Sequence, residues 1–440
     1  MNLKNFCQAF FLFSSSVALA QPNWPAIKAN TTFIVADTNY YAPQIQVNKV
    51  GAWEDGLYIT RDGKQLFSTY LPIDALSWIG DISPCINFRP YYRGPLVGID
   101  TLTNPFGCGN YMQSDVVMSL RSDTSNNFSA WQSSNLQHSV TFDGAACGVK
   151  QGTDSFDVFV FTTDSGPMHV DIMFMSQVSN NPNYSDAVPI LQTAGNEDNP
   201  HIERLSNAEL LLIFDRDRYM YYSTSSDNGI TWQTPTLITS VLNDQAPYDV
   251  QPHLWNDGNE WWVYFCADNA VGKRCIYRSK QVNANDWNSW SPKELVIEPN
   301  MVSGGLANVL AIGEPSLTAW GDLSFVVVYG NTTLSDSTDV FDCDPWIMKR
   351  KQPITTGFTA LELQQSMFYF ESAQATLCFE SKGNKYADLK LYDLSGALVL
   401  HENIRAKERA TFSVEYLASG LYLAELSGEK EKKLIKILKQ

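Results

Sequence analysis

Asn199-Pro200-His201, Leu211-Leu212-Ile213-Phe214, Arg218-Tyr219-Met220-Tyr221-Tyr222-Ser223 and Ser225-Ser226-Asp227-Asn228-Gly229-Ile230-Thr231-Trp232 follow one another along the chain. A proline suits the first residues of a strand, where no ladder amide is needed. The apolar and aromatic runs that follow are strand formers, and the Ser/Asp/Asn/Gly cluster before Trp232 is a tight turn. The passage therefore predicts three antiparallel strands and a hairpin that opens a fourth. The same order recurs. Second strands are predicted at Leu66–Tyr70, Val158–Phe161, Val263–Phe265 and Val326–Tyr329, and third strands at Asp115–Ser119, Asp171–Ser176, Arg274–Ser279 and Asp344–Lys349. First strands open at Glu54-Asp55-Gly56, Gln251-Pro252-His253 and Glu314-Pro315-Ser316, with Asp143-Gly144 a looser match. The third strands lie roughly 45 to 70 residues apart, the length of a four-stranded propeller blade with its loops.

The expected fold is all-β, because no stretch of the body carries a sustained helical period. The count gives a five-bladed β-propeller with an insertion at residues 76–113. It becomes six-bladed if residues 22–50 and that insertion hold another blade. Trp131, Trp232 and Trp290 each follow a polar turn and mark the start of an outer strand. A two-sheet sandwich is the structural alternative, although its strands need not recur at blade spacing.

Ser225, Asp227, Gly229, Thr231 and Trp232 fit the pattern S-x-D-x-G-x-T-W, which resembles the Asp box, or BNR repeat, of sialidases and other propellers. Physically, the carboxylate can bind turn amides, glycine supplies a positive φ, and the tryptophan packs back between strands. Asp55–Phe67, with its Arg61-Asp62-Gly63-Lys64 turn, resembles a TolB-type propeller repeat. Both resemblances imply architecture and neither implies a reaction.

Residues 1–20 read as a secretory signal: Lys4, an apolar run too short to span a bilayer, and Ala18-Leu19-Ala20 at the exit. Seven cysteines follow it, and in an exported chain some are expected to pair, with Cys266–Cys275 the first choice. No Cys-x-x-Cys occurs and the histidines are dispersed, so neither a metal nor a cofactor is expected. Near the end, Tyr392-Asp393-Leu394-Ser395-Gly396, Leu417–Leu426 and Lys432–Gln440 read as strands with Gly turns, a small C-terminal β-sandwich. The three motifs in order resemble the type A C-terminal sorting domain of the Bacteroidetes type IX secretion system, over residues 365–440. This implies passage through the periplasm to the cell surface or medium, with the secretion machinery as a partner. The expected domains are the signal 1–20, propeller 21–356, linker 357–364 and sorting domain 365–440.

The chain has 440 residues and a formal net charge of −16. Residues 388–440 hold 9 Lys+Arg against 8 Asp+Glu, whereas residues 21–387 hold 21 against 39, so the acidity belongs to the body. That argues against nucleic acid or anionic lipid as a partner. No transmembrane segment, Gly-rich phosphate loop or Gly-x-Ser-x-Gly elbow is present, which disfavours kinase and esterase chemistry.

In a propeller the openings of the inner strands surround a shared pocket. Asp55 and Glu314 are the preferred acid pair for hydrolysis of an extracellular glycan, with Asp198 or Asp249 as a third member. His201, His253 and Arg216 are the substrate-binding candidates. Each residue also has a structural reading: Asp55 and Asp198 as turn caps, Pro-His as blade grammar, and Arg216 as part of a neutralised hairpin edge. A sialidase needs three converging arginines. Arg89 in Phe88-Arg89-Pro90, with Arg204, Arg216 and Arg278, gives no clean motif for them. Two functions stay open: a glycoside hydrolase, or a non-catalytic binding or scaffold propeller on the cell surface.

Overall fold

A computed structural model describes residues 23–48, 52–71, 114–136, 142–152, 154–166, 169–206, 208–239, 241–244, 249–284, 286–300, 308–330 and 341–351 of the body. In the tail it describes 367–371, 376–380, 388–393, 396–404, 409–414, 416–418, 420–427 and 432–439. The signal, the 76–113 insertion with Cys85, Arg89 and Cys108, and the 357–364 linker lie outside these residues, as does the side chain of Cys378. The chain divides into two compact units, one of Met1–Trp255 and Glu260–Gln352, the other of Pro353–Gln440 with Asn256–Asn259.

The body is built of strands, with one short helix, α1 (Trp24–Ala29). Two short strands follow it, β1 (Phe33–Val35) and β2 (Gln44–Ile45). Then come antiparallel groups in chain order. The first is β3 (Trp53–Ile59), β4 (Gln65–Leu71), β5 (Asp115–Leu120) and β6 (Gln132–Ser133). The second is β7 (Asp143–Gln151), β8 (Ser155–Gly166), β9 (His169–Ser179) and β10 (Val188–Ile190). The third is β11 (Glu197–Arg204), β12 (Leu210–Arg216), β13 (Tyr219–Ser225) and β14 (Thr236–Leu237). The fourth is β15 (Val250–Asn256), β16 (Trp261–Asp268), β17 (Arg274–Lys280) and β18 (Glu294–Pro299). The fifth is β19 (Asn308–Leu317), β20 (Leu323–Gly330) and β21 (Phe341–Met348). The second strands are the most apolar, and Leu211, Phe214, Val263, Phe265, Phe325 and Val327 are fully buried. They carry the core, since an apolar run flanked by sheet on both sides has no face left for water.

Residues 23–48 form no separate sheet. β1 adds to the edge of β18, and β2 supplies the missing fourth strand of the fifth group by pairing with β21. This strap is anchored where Phe33 meets the rings of Phe325 and Trp346, with centroids 5.9 and 5.1 Å apart. Within the described part, residues 23–48 thus complete existing edges, while the 76–113 insertion, the other part of the expected sixth blade, lies outside the described residues.

The predicted Cys266–Cys275 bond is also corrected: both are buried free thiols. Cys266 stands opposite Ile276, and Cys275 opposite Ala267. Successive side chains point to opposite faces of a sheet, so the two sulfurs lie on different sides and cannot bond.

In the second unit β22 (Met367–Glu371) and β23 (Thr376–Glu380) form one sheet with β26 (Arg409–Ser413). β24 (Asp388–Tyr392), β25 (Leu398–Asn403), β27 (Gly420–Ser427) and β28 (Lys432–Lys439) form another. Leu389, Leu391, Phe412, Tyr422 and Leu426 share one buried cluster.

Candidate functional site

All five first strands break at the same point. Gly56, Ala145, Asn199, Gln251 and Glu314 have φ of 57°, 45°, 50°, 60° and 55°. In the four pairings whose register is resolved there, the ladder slips between Asp55/Tyr58, Gly144/Cys147, Asp198/His201 and Gly313/Ser316. One extra residue in the left-handed region is a β-bulge, which re-aims the side chains beside it. Three groups follow it with Pro200, Pro252 and Pro315, whose missing amide fits a position without a ladder partner. Since the strained φ recurs in every group, at Glu314 it is part of the repeat and not a mark of chemistry.

The bulges bring together the acids Asp55, Asp198 and Glu314. Glu314 accepts Leu57 N–H at 2.8 Å on one oxygen and the Gln251 side-chain amide at 2.8 Å on the other. It also shares a hydrogen bond with the Asp55 carboxyl. Asp198 accepts the amide of Asn199, and Asp215 accepts Gln251 N–H and the Asn199 side chain, at 2.8, 2.8 and 2.9 Å. Burial first, then the charges of Asp55 and Asp198, holds Glu314 well above the usual carboxylate range. Burial likewise raises Asp215 to about 8 and Asp164 to about 7, with the Asp198 charge adding to both.

The stability linkage follows from these directions. A carboxyl raised in the fold contributes stability that is full below its unfolded pKa and lost as pH rises through its folded pKa. His201 and His253 are lowered by burial, so their contribution is lost in the opposite direction, as pH falls. Thermal melts should therefore show the highest Tm in mildly acid solution and a steady fall between about pH 5 and 8, up to the raised values of Asp164 and Asp215. A Tm flat across that window would mean that Asp164 and Asp215 titrate in the fold as they do in the unfolded chain.

Two residues past each bulge lies a second circuit of contacts. Tyr58 O–H donates to Gly148 O, and Cys147 Sγ is 3.4 Å from His201 Nδ1. The rings of His201 and His253 lie 4.0 Å apart. Leu317 N–H donates to His253 Nε2 at 3.0 Å, and Ile59 N–H to Ser316 Oγ at 3.0 Å. The contacts thus pass from the first group through the second, third, fourth and fifth and return to the first. Below them His201 Nε2 meets Glu203 at 2.9 Å, and Arg61 reaches across to Glu203 and to Leu254 O at 2.7 Å. Burial opposes the Glu203 charge, but Arg61 and His201 hold its pKa down. Between the two circuits is a cavity of about 40 Å³ lined from all five groups, Glu314, Cys147, His201 and His253 included. A water needs about 10–15 Å³, so this space takes a few waters or one small molecule.

The other predicted residues lie elsewhere. Asp249 sits one position earlier in the repeat than Asp55 and Asp198, alongside Glu54, Asp143 and Glu197, all fully buried. It is paired with Lys293 at 3.2 Å. Arg216 is bound to Glu197 at 2.7 Å and stacked on Tyr221, and His201 and His253 are buried in the second circuit. Arg204 pairs with Asp157, and Arg278 with Asp37 at 2.6 Å. Arg204, Arg216 and Arg278 therefore stay separate, each with its own carboxylate. In the Ser225–Trp232 turn the Asp227 carboxylate takes Thr231 N–H at 2.8 Å and its hydroxyl at 2.6 Å. Gly229 has φ 86°, and Trp232 packs edge-on against Phe174 of the second group. Trp255, Trp287 and Trp290 are buried packing residues. Sequence reasoning missed Cys147, Glu203 and Arg61. Cys147 falls in the one copy without a proline or aromatic signal, although its distance from Gly144 matches that of His201 from Asp198.

Residues 372–440 match the family described as secretion system C-terminal sorting domain. The tail is a type IX sorting domain, and the protein is exported to the cell surface or secreted. Among the described residues no helix is long and apolar enough to cross a membrane, and no group of three or more His, Cys, Asp or Glu is placed to hold a metal. No curated protein matches the chain. Solved structures that are similar include the catalytic domain of a Coprinopsis cinerea GH62 α-L-arabinofuranosidase, with 9% identity over 73% of this chain and 97% of that one, TM-score 0.41. A Podospora anserina α-L-arabinofuranosidase has 10% identity over 75% and 99%, TM-score 0.40. The NanB sialidase of Streptococcus pneumoniae has 11% identity over 70% and 57%, TM-score 0.37. Likeness of this depth fixes neither substrate nor reaction.

Proposed function

We propose that the body is a five-bladed β-propeller, led out by a signal at residues 1–20 and addressed by a tail folded as a β-sandwich. It serves as a non-catalytic module that binds extracellular glycan at the cell surface. The circuit of side-chain contacts through five strand groups supports the blade count, and the Asp227 turn supports an Asp-box hairpin. The non-catalytic reading is carried by one observation: both Glu314 oxygens are already committed, to Leu57 N–H and to Gln251. The acids tie the blades together, and the space beside them is small, about 40 Å³. Glycan would instead meet the rim, where Tyr219 is 41% exposed beside the exposed turn Asp217-Arg218, since an aromatic face stacks on a sugar ring.

The hydrolase reading survives on a different observation, the hydrogen-bonded Asp55–Glu314 pair, in which Glu314 is raised well above the usual carboxylate range. There Glu314 would protonate the leaving oxygen and Asp55 would assist the attack. Glu314→Gln separates the two. The binding module shows no turnover on polysaccharides or aryl glycosides before or after the change, keeps its glycan binding, and loses roughly 1–3 kcal/mol of stability with one acceptor gone. A hydrolase turns over substrate and loses at least about a hundredfold on mutation. Tyr219→Ala should abolish saturable binding to immobilised polysaccharide; undiminished binding would move the glycan seat elsewhere.

A further inference from the structure

Four described cysteines are buried free thiols: Cys147, Cys266, Cys275 and Cys343. Cys275 and Cys343 point their sulfurs at the carbonyl oxygens of Lys273 and Glu54, at 3.1 and 3.3 Å. Cys147 differs twice over. It lines the axial cavity, and its partner is a base. Glu203, held by Arg61, accepts from His201 Nε2, which fixes the imidazole proton there and leaves Nδ1 bare toward the thiol 3.4 Å away. His253 cannot compete for the thiol proton, because its Nε2 already accepts Leu317 N–H. Nucleophile, base and orienting carboxylate thus stand in order at the floor of a cavity.

We propose that Cys147, His201 and Glu203 form a thiol site that captures small uncharged carbonyl compounds of the aldehyde class. Sγ adds to the carbonyl carbon as the C=O π bond opens. The thiol proton passes to His201 Nδ1 and then to the new alkoxide oxygen, giving a hemithioacetal with no oxidant and no leaving group. The cavity of about 40 Å³ sets the size. The Glu314 carboxyl in its lining, with the charges of Asp55 and Asp198 next to it, on a chain of net charge −16, selects against anions. Glu203 is a positioning residue. The proposal is independent of whether the propeller binds or cleaves glycans.

The test labels the intact, folded protein with iodoacetamide and reads each cysteine by mass spectrometry. The sulfur–carbon bond replaces carbon–iodine, iodide leaves, and His201 takes the proton. Cys147 should label at least about tenfold faster than the three other buried thiols, which serve as internal controls. Anionic iodoacetate should be several-fold slower, and acetaldehyde should protect Cys147 but not Cys343. Burial pushes the Cys147 thiol up to about 12, so a base-assisted thiol gives a rate flat from pH 7.5 to 9. A thiolate reacting alone gives one rising about tenfold per pH unit. His201→Gln should bring Cys147 down to the rate of Cys343. If that variant fails to fold, the wild-type pH profile and the iodoacetamide-to-iodoacetate ratio decide. Equal labelling of Cys147 and Cys343, or a rate climbing tenfold per pH unit, overturns the nucleophile; absence of acetaldehyde protection overturns the carbonyl class.

Discussion

Lys28→Met should cost about 3–5 kcal/mol, the usual result of stripping one partner from a buried ion pair. The Lys28 ammonium sits 2.9 Å from Asp342 and 2.7 Å from Asp344, both carboxylates fully buried. Burial alone would lower the lysine pKa, but the two carboxylates outweigh it and raise it. Without Lys28 the two acids lose the cation they share, beside Glu54, which already hydrogen-bonds Asp344. The strap from α1 to β2 is then held mainly by Phe33, the Asp37–Arg278 pair and two short ladders. Its release exposes the edges of β18 and β21. Chemical denaturation should report the lost stability, and chymotrypsin should cut the folded variant after Phe33, which is half-buried in the wild type. The deficit should narrow as pH falls toward 5, because Asp344, raised to about 7 even beside Lys28, costs least when protonated. A deficit of equal size at pH 5 and pH 8 would assign the loss to packing instead of charge.

Gly229→Ala is the second large effect. The added Cβ would stand 2.3 Å from Phe174 Cζ and within 2.9 Å of two other ring carbons. Its φ of +86° also disfavours any side chain, by about 1–2 kcal/mol. Overpacking against a ring adds about 1–3 kcal/mol, so a total loss near 3 kcal/mol is expected. Phe174 cannot swing clear, since Trp232 packs edge-on against it with centroids 5.9 Å apart. The turn therefore fastens the third group to the second, and a denaturation midpoint that barely moves would show that this seam yields. Gly396, also at positive φ, has no atom within 4 Å of an added Cβ and should lose only the backbone part.

What was legible in the sequence was local. Strand order, turn positions and the sorting tail rest on hydrophobic alternation, Gly and Pro chemistry and motif spacing, which neighbouring residues decide among themselves. The second strand group carries only weak signals at Asp143-Gly144, and that is where its bulge lies. The site was only partly legible. Asp55, Asp198 and Glu314 meet, whereas Asp249 does not, because it stands one residue earlier and consecutive side chains leave a strand on opposite faces. The same alternation separates Cys266 from Cys275.

Tertiary structure alone decided which groups from distant strands come together: Cys147 with His201, Arg61 with Glu203, Lys28 with Asp342 and Asp344. No spacing rule links positions that stand from 54 to 316 residues apart. It also decided what the acids do, since a carboxyl in a sequence carries no record of whether its oxygens face solvent or a neighbouring amide. Five bulges turned one way convert a repeat into a ring of partners. The sequence by itself determined the repeat and the export address; burial and the facing of side chains determined the chemistry at its centre.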